Sequence, residues 1–175
     1  MKHVEIQTAD DHIIEGSLFT PVDEREWSGA LILHGWGGCR DRHYEAADLL
    51  AQQGFICLAV DLRGHGKTQD MAHAVRPSDN LADAIAAHDF LSSQMTVEQG
   101  ALGVAGFSYG GVLAVLLSIY RTIRWLALRG PALYRDDDTR IRKSSIDRRQ
   151  LSSFRQKKLG PAEPITHYHK KNGNR

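Results

Sequence analysis

The stretch that most constrains this 175-residue chain is Gly106-Phe107-Ser108-Tyr109-Gly110-Gly111. It lies between a buried-type apolar run at 101–107 and a second apolar run at 109–120. The first run has the length and composition of a strand covered on both faces, and the second reads as an apolar helix. A serine at that junction must sit on a tight strand-to-helix turn. Such a turn brings neighbouring backbone close, so the positions two before and two after the serine must be small, and Gly106 and Gly110 supply this. The arrangement is a nucleophile elbow. A serine hydroxyl attacks only when it stands clear of the backbone and a base takes its proton. The elbow also puts Ser108 at a helix N-terminus, where the dipole and amide N–H groups favour a developing anion.

The rest of the first 134 residues alternates in the way an α/β protein requires. Residues 4–8 and 12–19 are short alternating runs around Ala9-Asp10-Asp11, which predicts a hairpin at a sheet edge. Apolar runs at 30–33, 55–60, 101–107 and 123–128 predict buried parallel strands. Helical spacing at 42–53, 80–93 and 109–120 predicts the crossovers, the first ended by Gly54 and the second with Leu81, Ala84, Ile85, His88 and Leu91 on one face. Strand–helix alternation of this kind gives a mostly parallel, doubly wound sheet.

Two strand-end loops accompany the elbow. His34-Gly35-Trp36-Gly37-Gly38 follows the run at 30–33, and its glycines let backbone approach a substrate. The N–H of Trp36 and the N–H of Tyr109 are the candidate oxyanion donors, each worth roughly 3 kcal/mol by deletion in acyl transfer. His34 reads as a brace for its loop rather than a proton carrier. Asp61-Leu62-Arg63-Gly64-His65-Gly66 follows the run at 55–60, with Asp61 and Arg63 expected to fix the loop and His65 expected at the pocket rim.

These three motifs, in this order and on these elements, resemble the alpha/beta-hydrolase superfamily, closest to its small esterase, dienelactone-hydrolase-like and serine-peptidase-like branches. The resemblance covers about residues 1–134. It implies a serine hydrolase that cleaves an ester, amide or related acyl bond through an acyl-enzyme on Ser108, and needs no cofactor. It also implies an acid and a histidine on two further strand-plus-helix units, in that order after the serine.

Those units have no counterpart in the sequence that follows. Residues 135–175 contain eight hydrophobic residues, and they carry twelve Lys/Arg against five Asp/Glu, whereas residues 1–134 carry ten against sixteen. The division predicts a hydrolase core at 1–134, lacking its last strands, and a basic, poorly structured tail at 135–175, the sign of a truncated or frame-shifted product. Asp136, Asp137 and Asp138 follow the last run too soon to be the acid. His167 and His169 have no strand before them, and as a His-x-His pair they lack a third metal ligand. The alternative to an active enzyme is therefore an inactive remnant or a non-catalytic binding module that keeps the pocket without turnover.

Composition narrows the partners. A net charge of +1, a tail without aromatic interleaving and the absence of a recognisable module argue against nucleic acid. No segment approaches the ~20 apolar residues of a membrane span, and residues 1–16 lack a signal core. Cys39 and Cys57 read as reduced thiols, which points to the cytoplasm. The expected partner is a small acyl substrate. The run at 123–128, with nothing to pair beyond it, is also expected to leave a sheet edge open to self-association.

Overall fold

The computed structural model describes residues 1–22, 27–94 and 97–131. The expected tail at 135–175, with Asp136, Asp137, Asp138, His167 and His169, lies outside them.

Six strands form one sheet. The N-terminal hairpin pairs β1 (Lys2–Gln7) with β2 (Ile13–Phe19), and β2 runs antiparallel to β4 (Phe55–Val60). The remaining strands, β3 (Trp27–Leu33), β5 (Val97–Phe107) and β6 (Leu126–Arg129), are parallel to β4 and to one another. The order across the sheet is β1-β2-β4-β3-β5-β6. The fold is α/β with a mostly parallel sheet, as the alternation predicts.

Side-chain alternation along each strand separates two cores. Leu31 and Leu33 of β3, with Leu58 and Val60 of β4, pack with Ala84, Ala87 and Leu91 of α2 (Pro77–Ser92) and with Leu113, Ala114 and Leu117 of α3 (Tyr109–Tyr120). Ala30 and Ile32, with Cys57 and Ala59, face Ala47 and Ala51 of α1 (Tyr44–Gln52) on the other side. Helices on both faces explain why β3 and β4 read as continuous apolar runs rather than alternating ones.

Boundaries moved where local chemistry outweighs periodicity. Helix α2 starts at Pro77 instead of residue 80. Proline at the first helical position has no N–H to satisfy, and the Asp79 carboxylate accepts the N–H of Arg76 at 2.8 Å. Strand β6 starts at Leu126 instead of residue 123, although the N–H of Arg124 already donates to the carbonyl of Leu102 at 2.8 Å. Trp125 lies over Gly103 of β5, where a β-carbon would collide with its indole. Strand β5 begins earlier than expected, at Val97, through an irregularity opposite Trp27 and Gly29 that includes Gly100 at φ +76°. Among the described residues no helix is long and apolar enough to cross a membrane.

Candidate active site

Ser108 stands between β5 and α3 with φ +50° and ψ −111°. A side chain at positive φ is strained, and such strain persists only where the surroundings impose it. Here they do. A β-carbon on Gly106 would lie 2.6 Å from the carbonyl oxygen of Gly110, and one on Gly110 would lie 2.5 Å from the carbonyl oxygen of His34. The turn is therefore wedged between its own helix and the end of β3. The carbonyl of Ser108 accepts from the N–H of Gly111 at 3.0 Å, which opens α3, and Ser108 itself is exposed.

The loop after β3 lies directly against this turn. A β-carbon on Gly35 would be 3.3 Å from the β-carbon of Ser108 and 3.2 Å from the carbonyl oxygen of Phe107. The same contact brings the expected site residues together: the ring of Trp36 meets that of Tyr109 edge-on at a centroid distance of 5.4 Å. Trp36 is 62% exposed and Tyr109 is buried.

His34 is the brace expected of it. Its Nε2 accepts the N–H of Leu62 at 3.2 Å, so the proton sits on Nδ1, 2.8 Å from the carbonyl oxygen of Gly35. A neutral imidazole satisfies both bonds, tying the loop after β3 to the loop after β4. Burial lowers its pKa from 6.5 to about 4, with the nearby His65 adding to the effect. His65 departs from expectation: it is buried rather than at a rim, packed against both His34 (4.9 Å) and Trp36 (5.0 Å). His43 stacks on Phe107 at 4.3 Å, and burial lowers its pKa too.

Two buried polar clusters hold these loops. In the first, Asp61 accepts both the backbone N–H of Arg40 (2.7 Å) and its guanidinium, which also reaches Glu15, Ser17 and Tyr44. Burial pushes the Asp61 carboxyl above its ordinary value, against the pull of Arg40. In the second, Asp83 accepts the backbone N–H of Arg63 (2.9 Å) and its Nε (2.8 Å), while the same guanidinium reaches Asp10. Asn80, one helical turn before Asp83, donates to the carbonyl of Arg63 at 2.9 Å and accepts from the hydroxyl of Tyr109 at 3.1 Å. Asp61 and Arg63 thus fix loop geometry, as the sequence suggests. Arg40, Asn80 and Asp83 were not anticipated, and only the polar positions on an otherwise apolar helix face at 80–91 could have signalled the last two.

No group of three or more His, Cys, Asp or Glu among the described residues is arranged to hold a metal ion. Two histidines contact carboxylates away from the elbow. His3 of β1, four strands from β5, meets Glu15 of β2, and His88 meets Asp89 beside the carbonyl of Thr122, just past the far end of α3.

A mostly parallel sheet with helices on both faces and a strained serine between strand and helix defines an alpha/beta hydrolase by fold. Comparison with known proteins agrees. The family model described as serine aminopeptidase, S33, matches residues 29–170, and the chain belongs to that family. An uncharacterized protein of Mycobacterium tuberculosis (strain ATCC 25618 / H37Rv) is 31% identical over 132 residues, which are 74% of this chain and 45% of that protein. Among solved structures, an esterase of Pyrococcus furiosus is 28% identical with a TM-score of 0.63, over 76% of this chain and 50% of that one. An esterase from Exiguobacterium antarcticum, 22% identical with a TM-score of 0.62 over 76% of this chain and 48% of that one, shares the fold. The chain spans about half the length of the relatives it matches.

Proposed function

We propose that this chain carries the nucleophile of a serine hydrolase acting on a small ester, amide or similar acyl substrate. The observation that carries the reading is the placement of Ser108, strained and exposed on the turn into α3, with Gly35 packed against it. Ser108 Oγ attacks the acyl carbonyl carbon while its proton passes to a base. The carbonyl oxygen becomes an oxyanion, and the N–H groups of Trp36 and Tyr109 are its proposed donors. Collapse breaks the bond to the leaving alcohol or amine, which takes up the proton, and water then releases the acid from the acyl-enzyme. By family resemblance the base is a histidine oriented by a carboxylate; among the described residues the histidine–carboxylate contacts, His3 with Glu15 and His88 with Asp89, lie away from the elbow.

The histidines around the elbow are engaged otherwise: His34 bridges two loops, His65 Nδ1 is 3.2 Å from the carbonyl oxygen of Arg63, and His43 stacks on Phe107. That observation favours a second reading, a binding module that keeps the pocket without turnover. A fluorophosphonate probe separates the two. Rapid labelling of the purified chain, lost in Ser108→Ala, supports the hydrolase; labelling no faster than that of Ser108→Ala supports the binding module.

A further inference from the structure

The carbonyl of Arg63 is where both sides of the site converge. It accepts from Asn80 Nδ2 at 2.9 Å, and His65 Nδ1 lies 3.2 Å from it. His65 packs on the ring of Trp36, and Asn80 receives the hydroxyl of Tyr109. The two residues whose N–H groups face the oxyanion in the reading above are thus set against one fixed point through one intermediary each. That point is itself held, because the N–H and guanidinium of Arg63 are clamped by Asp83, which is fully buried, and by Asp10.

Asn80 is 1% exposed on a helix where an apolar residue would pack as well. Burying an amide costs free energy unless its hydrogen-bonding groups are matched, and here the match is specific: Nδ2 faces the Arg63 carbonyl, with Asp83 Oδ2 at 3.4 Å, and Oδ1 faces Tyr109. From this geometry we infer that Asn80 is a positioning residue, fixing where the Tyr109 amide stands relative to the Trp36 loop and so setting the spacing of the oxyanion site. The inference rests on the hydrolase reading for its consequence in rate, but its geometric content does not.

Displacing an aligned group by about an ångström can cost on the order of 100-fold in rate, and removing a donor outright costs as much or more. Loss of the Asn80–Tyr109 bond should therefore slow acylation of Ser108 by a fluorophosphonate about 10-fold or more, with the probe's apparent affinity little changed. Three variants test this: Asn80→Ala; Tyr109→Phe, which removes a single oxygen and keeps the ring packing; and the double variant. The double variant should be no slower than the slower single one, because both remove the same bond. Leu91→Ala, a cavity variant on the same helix, should lose stability yet label at the wild-type rate per folded molecule. In amide nitrogen–proton spectra, the Tyr109 and Trp36 signals should move in Asn80→Ala and stay in place in Leu91→Ala. Unmoved Tyr109 and Trp36 amide signals in Asn80→Ala overturn the inference whatever the labelling shows, as do unchanged labelling rates per folded molecule. If the wild-type chain fails to label, the hydrolase reading falls, and the amide signals alone decide whether Asn80 positions Tyr109.

Discussion

Gly35 and Ser108 meet so closely that a β-carbon on the glycine would stand 3.3 Å from that of the serine. Residues 73 positions apart in sequence are thereby joined, the end of β3 to the end of β5, and the contact exists because these strands are adjacent parallel neighbours in register from Gly29↔Leu102 to Leu33↔Gly106. The site is the place where two strand ends arrive side by side.

Close approach at this junction predicts a graded response to alanine. Gly106→Ala and Gly110→Ala drive a β-carbon into backbone that cannot move without shifting a strand or helix, and each should cost about 3 kcal/mol. Gly37→Ala puts a β-carbon in open space at φ +68° and should cost about 1 kcal/mol, the conformational strain alone. Urea midpoints of the three variants check the order. Equal losses at all three positions would show that packing does not set the elbow.

His34 predicts a pH dependence. Its native pKa of about 4 lies below the ordinary 6.5, so between those values the unfolded chain binds a proton that the folded chain refuses. Stability must then rise with pH across that window and fall as the pH drops through it, by at most about 3 kcal/mol from this residue. Stability of wild type and His34→Gln, measured in urea at pH 7 and pH 4.5, isolates the contribution. The glutamine variant should be less stable at pH 7 and should lose less on acidification; parallel losses would remove His34 as the cause.

Arg40 and Asp61 predict a large effect from a residue outside the reacting groups. Arg40 is 6% and Asp61 9% exposed, and removing the carboxylate leaves Glu15 as the main counter-charge to a buried guanidinium. Breaking a buried pair costs about 3–5 kcal/mol when no second partner exists. Asp61→Ala should therefore cost about 3 kcal/mol, with Glu15 retaining part of the balance. Chemical denaturation of Asp61→Ala beside Glu15→Ala, and of the double variant, measures that division; a loss under about 1 kcal/mol for Asp61→Ala would contradict it.

Strand β6 predicts self-association. Among the described residues it is the last strand of the sheet, and Leu126 and Leu128 are each 39% exposed. An open edge with apolar side chains invites pairing with another chain. The purified chain should elute as a concentration-dependent oligomer, and Leu128→Lys should shift it toward monomer with little change in melting temperature. A sharp monomer peak for the wild type, with a cooperative melt above about 65 °C, the top of the usual mesophile range, would show that the edge is closed.

The sequence by itself determined the elements and the elbow, because both depend on local information. Apolar runs of strand length stood at 30–33 and 55–60, a helical pattern began at Tyr109, and two glycines spaced about Ser108 between a strand and a helix pointed to a tight turn. It determined equally that Trp36 and Tyr109 lie just past the ends of two buried strands. It could not say that Arg40 would be buried against Asp61 or that His65 would sit under Trp36 instead of at a rim. Nor could it give Asn80 a task, since on a helical wheel a buried asparagine is only a polar interruption. Those assignments depend on partners 21 to 29 residues away, brought together by the strand order β1-β2-β4-β3-β5-β6. A polar group's fate depends on whether its hydrogen bonds are met after burial, and only the packed structure puts its partners within reach.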